Sequence, residues 1–180
     1  PLREEAADAV RELKAAGITK VVMMTGDSER TAAAIAKRVG VDEYYSEVLP
    51  EDKASFVEKE KALGHKVIMI GDGINDSLAL SSANVGIAIS DGAAIAREIA
   101  DVTISADNLH EIVTLKRLST ALMKRIHNNY RTIIGVNGGL IALGVTGVIM
   151  PTTSALLHNM STLTISLRSM RNLLPKEETL

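Results

Sequence analysis

The chain has 180 residues, of which 46% are hydrophobic and only 2% aromatic. This aliphatic, alanine-rich composition favours helices and buried parallel strands over a sandwich with aromatic core anchors, and it excludes a disordered chain. The absence of cysteine excludes a disulfide framework and any cysteine-based zinc or redox site. The net charge of −2 is unevenly distributed, because residues 1–113 carry 20 acids and 12 bases, whereas residues 114–176 carry 8 bases and no acid.

Helices and strands are predicted to alternate through the first 105 residues. Helices are predicted at 6–13, 29–39, 50–63, directly after Asp76 and at 93–100, and strands at 18–24, 44–48, 66–70, 85–89 and 102–104. Strands that alternate with helices indicate an α/β fold, with a parallel sheet covered by helices on both faces. In such sheets ligands bind at the carboxyl ends of strands, which selects the loops at 25–28 and 71–77.

A long helix with basic residues, predicted over Leu109–Asn129, leads into an apolar hairpin. No Asp, Glu, Lys or Arg occurs from Thr132 to Leu167. These 36 residues suit two short transmembrane helices, joined by a turn at Pro151–Thr153, better than one span. The alternative is a buried pair of core helices in a soluble protein, although such a pair would normally carry a charged outer face.

The chain is therefore divided into an α/β domain over 1–108, an amphipathic stalk helix over 109–130, a transmembrane hairpin over 131–172 and a cytoplasmic tail over 173–180. Basic residues on both flanks of the hairpin predict that residues 1–130 and the C-terminus are cytoplasmic, with the hairpin in a plasma or inner membrane. The bases before the hairpin are interpreted as a membrane anchor: Lys116, Arg117, Lys124 and Arg125. Nucleic acid is not expected as a partner, since no aromatic or groove-reading element accompanies these bases.

The loop at 71–77 predicts a metal site. Asp72 and Asp76 lie four residues apart after a buried strand, among glycines that let the backbone turn tightly. Two carboxylates in such a loop form a hard-oxygen site that suits Mg²⁺. The simpler interpretation is a pair of Asp-Gly turns with a helix N-cap at Asp76.

The loop at 25–28 predicts a phosphate site. Thr25 supplies a hydroxyl, the following backbone supplies N–H groups, and the helix that starts after Ser28 points its N-terminus at an anion. Lys53 lies at the start of the helix that follows the next predicted strand, where it could place positive charge near that phosphate. Taken alone, each of these residues has a simpler interpretation, as an N-cap or as a solvated helix lysine.

The order of the three loops resembles the haloacid dehalogenase-like superfamily and, more closely, the phosphorylation domain of P-type ATPases. The residues that carry the resemblance are Met24-Thr25-Gly26-Asp27, Leu49-Pro50-x-x-Lys53 and Gly71-Asp72-Gly73-Ile74-Asn75-Asp76-Ser77-x-Ala79-Leu80. The resemblance implies a partial haloacid dehalogenase-like (Rossmannoid) domain. It also implies that the hairpin corresponds to the last two transmembrane helices of the heavy-metal-transporting branch.

By that resemblance, the chain is part of an ATP-driven metal transporter with Mg²⁺ as cofactor and ATP as substrate. Thr25 would hold the phosphoryl oxygens, Lys53 would neutralise their charge, and Asp72 and Asp76 would bind Mg²⁺. Three further residues would complete the phosphate and nucleotide site: Gly26, Asp27 and Asn75. The family's nucleophile is the first Asp of an Asp-Lys-Thr-Gly-Thr motif, which this sequence lacks. The remaining domains of the parent ATPase would have to supply it, and the chain alone is expected to form no phosphoenzyme.

Polar residues inside the apolar hairpin are candidates for holding the transported ion, because polar groups in a span are costly and usually functional or partnered. His158 is interpreted as a ligand of a transition-metal cation, since imidazole is a ready donor. Asn137 is either a second ligand or a helix–helix hydrogen-bonding residue. The string His158-Asn159-Met160-Ser161-Thr162 is similar to the His-Glu-Gly-Ser-Thr pattern of some metal ATPases but departs from it at Asn159 and Met160. The metal is left open.

Two other functions remain open on the sequence. A soluble phosphatase of the same superfamily would share the loop at 71–76 but would have no use for the uncharged segment. A non-catalytic membrane fragment that modulates a full-length partner would explain the missing nucleophile, but it would not explain why Thr25, Lys53, Asp72 and Asp76 are all present.

Overall fold

The computed structural model describes residues 5–71, 75–89, 98–104 and 108–173. It divides the chain into two compact units, Pro1–Thr114 and Leu115–Leu180. The described elements are α1 (Ala6–Ala15), β1 (Val22–Met24), α2 (Glu29–Val39), β2 (Glu43–Tyr45), α3 (Pro50–Ala62), β3 (Ile68–Gly71), α4 (Ser77–Ser82), β4 (Val85–Ile89), β5 (Val102–Ile104), α5 (His110–Val145) and α6 (Pro151–Ser169). Of the helix predicted at 93–100, residues 93–97 lie outside the described residues.

All the described strands pair in parallel, which confirms the α/β arrangement predicted from their alternation with helices. They form two sheets rather than the single predicted one: β1 pairs with β2, and β4 lies between β3 and β5. Met23 lies opposite Tyr44 in the first sheet, and Ile70 lies opposite Ile87 in the second. The sheet is divided because the described strands that end at the two predicted loops, β1 and β3, share no ladder.

The two sheets of the first unit share one core. Val57 of α3, Met69 of β3 and Leu80 of α4 are buried together, and Met24 at the end of β1 packs against this cluster. Burial of each large aliphatic side chain contributes about 1.5–3 kcal/mol. Met24 therefore connects the first sheet to the core of the second through apolar contact.

Lys14 at the end of α1 helps to fix the first sheet. Lys14 Nζ donates to Asp42 Oδ1 at 2.7 Å, and the Val21 N–H donates to Asp42 Oδ2, also at 2.7 Å. These hydrogen bonds, with that from Lys14 the stronger, hold the pKa of Asp42 below its usual value. Asp42 thus joins α1 to the residues that immediately precede both β1 and β2.

The second unit contains a helical hairpin, as predicted, but its turn lies elsewhere. α5 runs for 36 residues without a break at residue 130, so the predicted stalk and first hairpin helix are one element. The prediction of a turn at Pro151–Thr153 is wrong, because Pro151 is the first residue of α6. Proline has no N–H and a fixed φ, which suit the first helical position. The chain reverses over residues 146–150 instead.

Within the described part of the chain, no helix has both the length and the apolar content that a membrane span requires. The predicted membrane hairpin is therefore present as a helical hairpin without support from hydropathy. Residues 146–150 of the uncharged segment form the turn and so do not add to the length of either helix. α6 also contains several hydroxyl side chains together with His158 and Asn159.

Most large apolar side chains of the hairpin are exposed in this chain. α6 has no buried residue, and in the helix and turn before it Ile141 is 67% exposed and Val148 68% exposed. A Cβ added at any of four glycines of α5 would meet nothing within 4 Å: Gly135, Gly138, Gly139 and Gly144. Apolar surface of this extent normally marks a site of contact with another apolar phase or protein.

Gly86 in β4 provides a test of the packing between α4 and the second sheet. A Cβ at Gly86 would lie 2.7 Å from the Leu80 carbonyl oxygen, and this backbone atom cannot rotate away. We expect Gly86→Ala to lower the free energy of unfolding by about 2 kcal/mol. Gly26→Ala is the control, since a Cβ there meets nothing within 4 Å. The measurement is urea unfolding of the chain in detergent, and equal midpoints for the two variants would contradict the packing.

Candidate active site

An ion pair joins two of the residues that the sequence predicts for the site. Lys53 lies in the first turn of α3 and Asp76 immediately precedes α4, and Lys53 Nζ donates to Asp76 Oδ1 at 2.7 Å. Both side chains are only 13% exposed. At this depth each charge depends on the other, because removal of one partner leaves an uncompensated charge. The lysine loop and the second carboxylate of the 71–77 loop are thus brought together.

The carboxylate of Asp76 faces Lys53 instead of capping α4. Asp76 occupies the N-cap position, and its carbonyl oxygen accepts the Leu80 N–H at 2.8 Å, but its side chain makes no capping hydrogen bond. The simpler interpretation of Asp76 as a helix cap is therefore wrong. Gly71 is required beside it, since a Cβ at Gly71 would lie 2.6 Å from Asp76 Oδ2 and 2.7 Å from Asp76 Cβ.

The Thr25 loop is held by its own side chains. Thr25 Oγ1 donates to Asp27 Oδ2 at 3.0 Å and accepts the Asp27 N–H at 3.1 Å. The Thr25 N–H donates to the Tyr45 carbonyl oxygen at 3.0 Å, so the loop continues the pairing of β1 with β2. A phosphoryl oxygen that binds Thr25 would therefore compete with the carboxylate of Asp27 for the hydroxyl hydrogen.

The segment after β2 supports the Thr25 loop from outside. The Glu47 N–H donates to the Asp27 carbonyl oxygen and the Val48 N–H donates to the Thr25 carbonyl oxygen, each at 3.0 Å. Glu47 has a φ of +54°, which is unfavourable for a residue other than glycine and costs roughly 1–3 kcal/mol. The strain persists because both neighbouring hydrogen bonds fix this backbone conformation.

Three residues that the sequence analysis did not single out hold this segment in place. Glu29, the first residue of α2, accepts hydrogen bonds from Ser46 Oγ at 2.6 Å and from the Tyr44 hydroxyl at 2.8 Å. The bond from Ser46 is the main cause that lowers the pKa of Glu29, and the bond from Tyr44 lowers it further. The hydrogen bond to Glu29 in turn raises the pKa of Tyr44. The available signal was an acidic residue in the first turn of a helix and hydroxyl residues at the end of the neighbouring strand.

The other predicted site residues are placed differently. Asn75 is exposed, as are Gly26 and Asp27, and Asp72 lies outside the described residues. In the ranges that the structure does describe, no three His, Asp or Glu side chains gather as a metal site. Asp76 accordingly supplies the one described carboxylate of the predicted magnesium pair, with Oδ1 on Lys53 and Oδ2 turned toward Gly71.

His158 and Asn137, predicted in the hairpin, face each other across the second unit. His158 Nδ1 lies 2.9 Å from Asn137 Oδ1, at a groove of about 670 Å³ that Ile141, Ser154 and Asn159 also line. An amide oxygen only accepts hydrogen bonds, so Nδ1 is the donor in this contact and Nε2 is the ring nitrogen that does not face Asn137. The contact therefore fixes which nitrogen is available to a ligand.

The chain matches known proteins along nearly its whole length. Residues 1–84 match the family model of haloacid dehalogenase-like hydrolases. The chain is 39% identical over 171 residues to the manganese-exporting P-type ATPase of Mycobacterium tuberculosis. This alignment covers 94% of this chain and 24% of that protein. It is 47% identical over 130 residues to the probable copper-importing P-type ATPase A of Enterococcus hirae. This second alignment covers 71% of this chain and 18% of that protein.

A solved structure gives a similar result. The crystal structure of a zinc-transporting PIB-type ATPase in the E2.Pi state superposes with a TM-score of 0.88 at 34% identity, covering 97% of this chain and 28% of that one. The predicted resemblance to heavy-metal P-type ATPases is thereby confirmed as a match to such proteins. The chain spans about a fifth to a quarter of the length of these curated relatives.

The contact between Glu29 and Ser46 predicts a measurable titration. Because the folded pKa of Glu29 is depressed below 4.5, its contribution to stability is present above that value and is lost as the pH falls through the folded pKa. Ser46→Ala should raise this pKa toward its usual value, and Tyr44→Phe, which removes the weaker contact, should raise it less. Carboxyl NMR titration of Glu29 measures both shifts, and a larger shift in Tyr44→Phe would reverse the assignment.

Proposed function

We propose that the chain is part of an ATP-driven heavy-metal cation transporter of the P-type ATPase class. The first unit contributes phosphate-binding and Mg²⁺-binding residues to the phosphorylation site, and the hairpin contributes two helices to the membrane part. The observation that carries the proposal is the secluded ion pair of Lys53 with Asp76, which places a positively charged donor beside a carboxylate in the loop that follows β3.

The chemistry of phosphoryl transfer suits this arrangement. Its transition state spreads negative charge over the equatorial oxygens, so catalysis depends on positioning and on compensating charge. Lys53 Nζ has three N–H donors and uses one on Asp76, which leaves donors for phosphoryl oxygens. Thr25 would hold a phosphoryl oxygen once its hydroxyl leaves Asp27, and the exposed Gly26 backbone would help to bind the phosphate.

Two carboxylates would hold Mg²⁺ in this site. Oδ1 of Asp76 is engaged by Lys53, so Oδ2 is the oxygen left for a metal. The donor chemistry fits, because hard carboxylate oxygens are the usual protein ligands of Mg²⁺, with Asp72 as the second one. When bound, the ion compensates phosphoryl charge, and Asn75 and Asp27 would complete the nucleotide and phosphate site. The attacking carboxylate would come from the remaining domains of the parent ATPase.

The hairpin is proposed to lie in a membrane, against lipid and the other helices of the parent. Support comes from the uncharged residues 132–167, from their exposed apolar side chains and open glycines, and from relatives that match beyond the α/β unit. Arg131 and Arg168 flank this segment and would lie on the cytoplasmic side together with residues 1–130 and the C-terminus. The turn at 146–150 would then lie on the opposite side.

The metal is proposed to bind near His158. Its Nε2 is an imidazole donor, which suits a borderline divalent ion better than soft copper(I), and Asn137 would orient the ring through its contact with Nδ1. Relatives are named for manganese, copper and zinc, so the names alone do not select the ion.

A soluble phosphatase is the second candidate, because residues 1–84 match hydrolases of the haloacid dehalogenase-like family. The transporter is favoured over it because the match to the manganese-exporting protein extends to 94% of the chain. A non-catalytic fragment is less favoured, since the secluded pair of Lys53 and Asp76 has a ready catalytic use.

The role of Lys53 is tested in the complete ATPase that contains this chain. Lys53→Met should slow phosphorylation by ATP about 10²–10³-fold, the loss expected when one preorganised donor is removed. Lys59→Met is the matched control, because Lys59 is an exposed lysine of the same helix. Radiolabel incorporation from ATP measures the effect, and normal phosphorylation of Lys53→Met would refute the proposed site.

The role of His158 is tested by metal activation of the same complete ATPase. His158→Ala should raise the metal concentration for half-maximal ATPase activity by about tenfold or more, while phosphorylation by inorganic phosphate stays nearly unchanged. His127→Ala is the matched histidine control, since His127 is exposed on α5 and contacts the Met123 carbonyl oxygen of its own helix. Unchanged metal activation would reduce His158 to a packing residue.

A further inference from the structure

We propose that Arg125 and Asn129 of α5 are positioning residues for the metal ligand. They hold the C-terminal end of α6 and thereby fix where α6 lies along α5, which keeps His158 against Asn137. The inference rests on the proposed metal role of His158, but the contacts that carry it lie elsewhere in the hairpin.

The end of α6 is bound by one guanidinium group. Arg125 Nη1 donates to the Ser169 carbonyl oxygen at 2.9 Å and also to the Arg171 carbonyl oxygen, and Nη2 donates to the Asn172 carbonyl oxygen at 3.2 Å. Asn129 Nδ2, one helical turn further along α5, donates to Ser169 Oγ at 2.7 Å. Two residues of α5 therefore converge on the last residue of α6 and the carbonyls that follow it.

The charge distribution explains why an arginine binds backbone here. The last carbonyls of a helix lack intrahelical partners and carry partial negative charge. Residues 114–176 contain no Asp or Glu, so the nearby sequence offers Arg125 no carboxylate. The planar guanidinium presents several N–H donors at fixed angles and can bind three carbonyls at once. The ammonium group of lysine carries its donors on one nitrogen atom and is less suited to three separate acceptors. Arg125 is thus better explained as a helix-end ligand than as the membrane anchor predicted from its charge.

The glycines of α5 do not fix the position of α6. Cβ atoms added at Gly135, Gly138 and Gly139 would meet nothing within 4 Å, so these glycines are not interlocked with α6. Weakly interlocked helices can slide, and directional polar contacts then decide their register. A shift of α6 by one turn, about 5.4 Å, would break the contacts of Arg125 and of His158 together.

Two polar pairs join α5 to α6 at separate positions along the helices. Asn137 follows Asn129 by about 12 Å along α5, and His158 precedes Ser169 by about 16 Å along α6. The two helices run in opposite directions because a short turn joins them, and both pairs are formed in the structure although the two spacings differ by about 4 Å. The contacts of Asn129 with Ser169 and of Asn137 with His158 therefore reinforce each other.

The test uses the complete ATPase in membranes and the cargo metal as the probe. Arg125→Gln should raise the metal concentration for half-maximal ATPase activity by about tenfold, as for loss of a residue that orients a ligand, with phosphorylation by inorganic phosphate within about twofold of the parent. Arg125→Lys should recover only part of the loss. Lys124→Gln, which removes the adjacent charge, should leave the activation curve unchanged.

A double variant separates positioning from general stabilisation. Arg125→Gln combined with His158→Ala should resemble His158→Ala alone, because both act through the same ligand; effects that multiply would overturn the proposal, as would an unchanged Arg125→Gln curve. If Arg125→Gln does not accumulate, Asn129→Ala carries the same expectation with a smaller shift. If His158→Ala itself leaves activation unchanged, the metal role of His158 fails. If it shifts activation while neither Arg125→Gln nor Asn129→Ala does, only the positioning role fails.

Discussion

The hydrogen-bonded ion pair between Lys53 and Asp76 connects parts of the α/β unit that no strand pairing joins. Lys53 lies on the helix that follows the first sheet, and Asp76 lies on the loop that follows the first strand of the second sheet. Because β1 and β3 share no ladder among the described strands, the two sheets are held together by side chains: this pair and the apolar cluster around Val57 and Met69. Loss of either partner would leave a nearly buried charge without compensation, at a cost of about 3–5 kcal/mol.

Two local features around the site are less stable than the backbone there would allow. A carboxylate at the N-cap of α4 would stabilise that helix by about 1 kcal/mol, yet Asp76 makes no capping bond and turns to Lys53. Glu47, next to the Thr25 loop, keeps an unfavourable φ of +54°. Departures from local preference that cluster at the carboxyl ends of parallel strands are typical of functional sites, because surrounding contacts must hold groups where a ligand needs them. Asp76 lies in one of the two loops that the sequence selects, and Glu47 lies in the segment that supports the other.

Periodicity and turn residues were sufficient to predict the α/β order and the hairpin, since each depends on local sequence. Three features were missed, two of which depended on contacts between distant residues. The division into two sheets follows from which strands pair, the Glu29 contacts follow from the approach of α2 to the end of β2, and the continuity of α5 follows from the lack of any helix-breaking residue near Asn129. Pro151 misled the turn prediction, because proline marks a helix start as readily as a turn. Asp72 lies outside the described residues, so the magnesium pair stays a prediction.

The polar residues of the hairpin follow one physical rule. In a segment with no acid, charged and polar side chains must bind neutral groups of the chain. Arg125 binds backbone carbonyls, Asn129 binds a hydroxyl, and His158 binds the amide of Asn137. These contacts are directional, whereas the surrounding apolar contacts are not, so the polar groups determine the geometry of the pair of helices. The bond to Asn137 also engages Nδ1 of His158, so Nε2 is the ring nitrogen outside this contact. These contacts bring Asn129 to Ser169 and Asn137 to His158 at two positions along the hairpin.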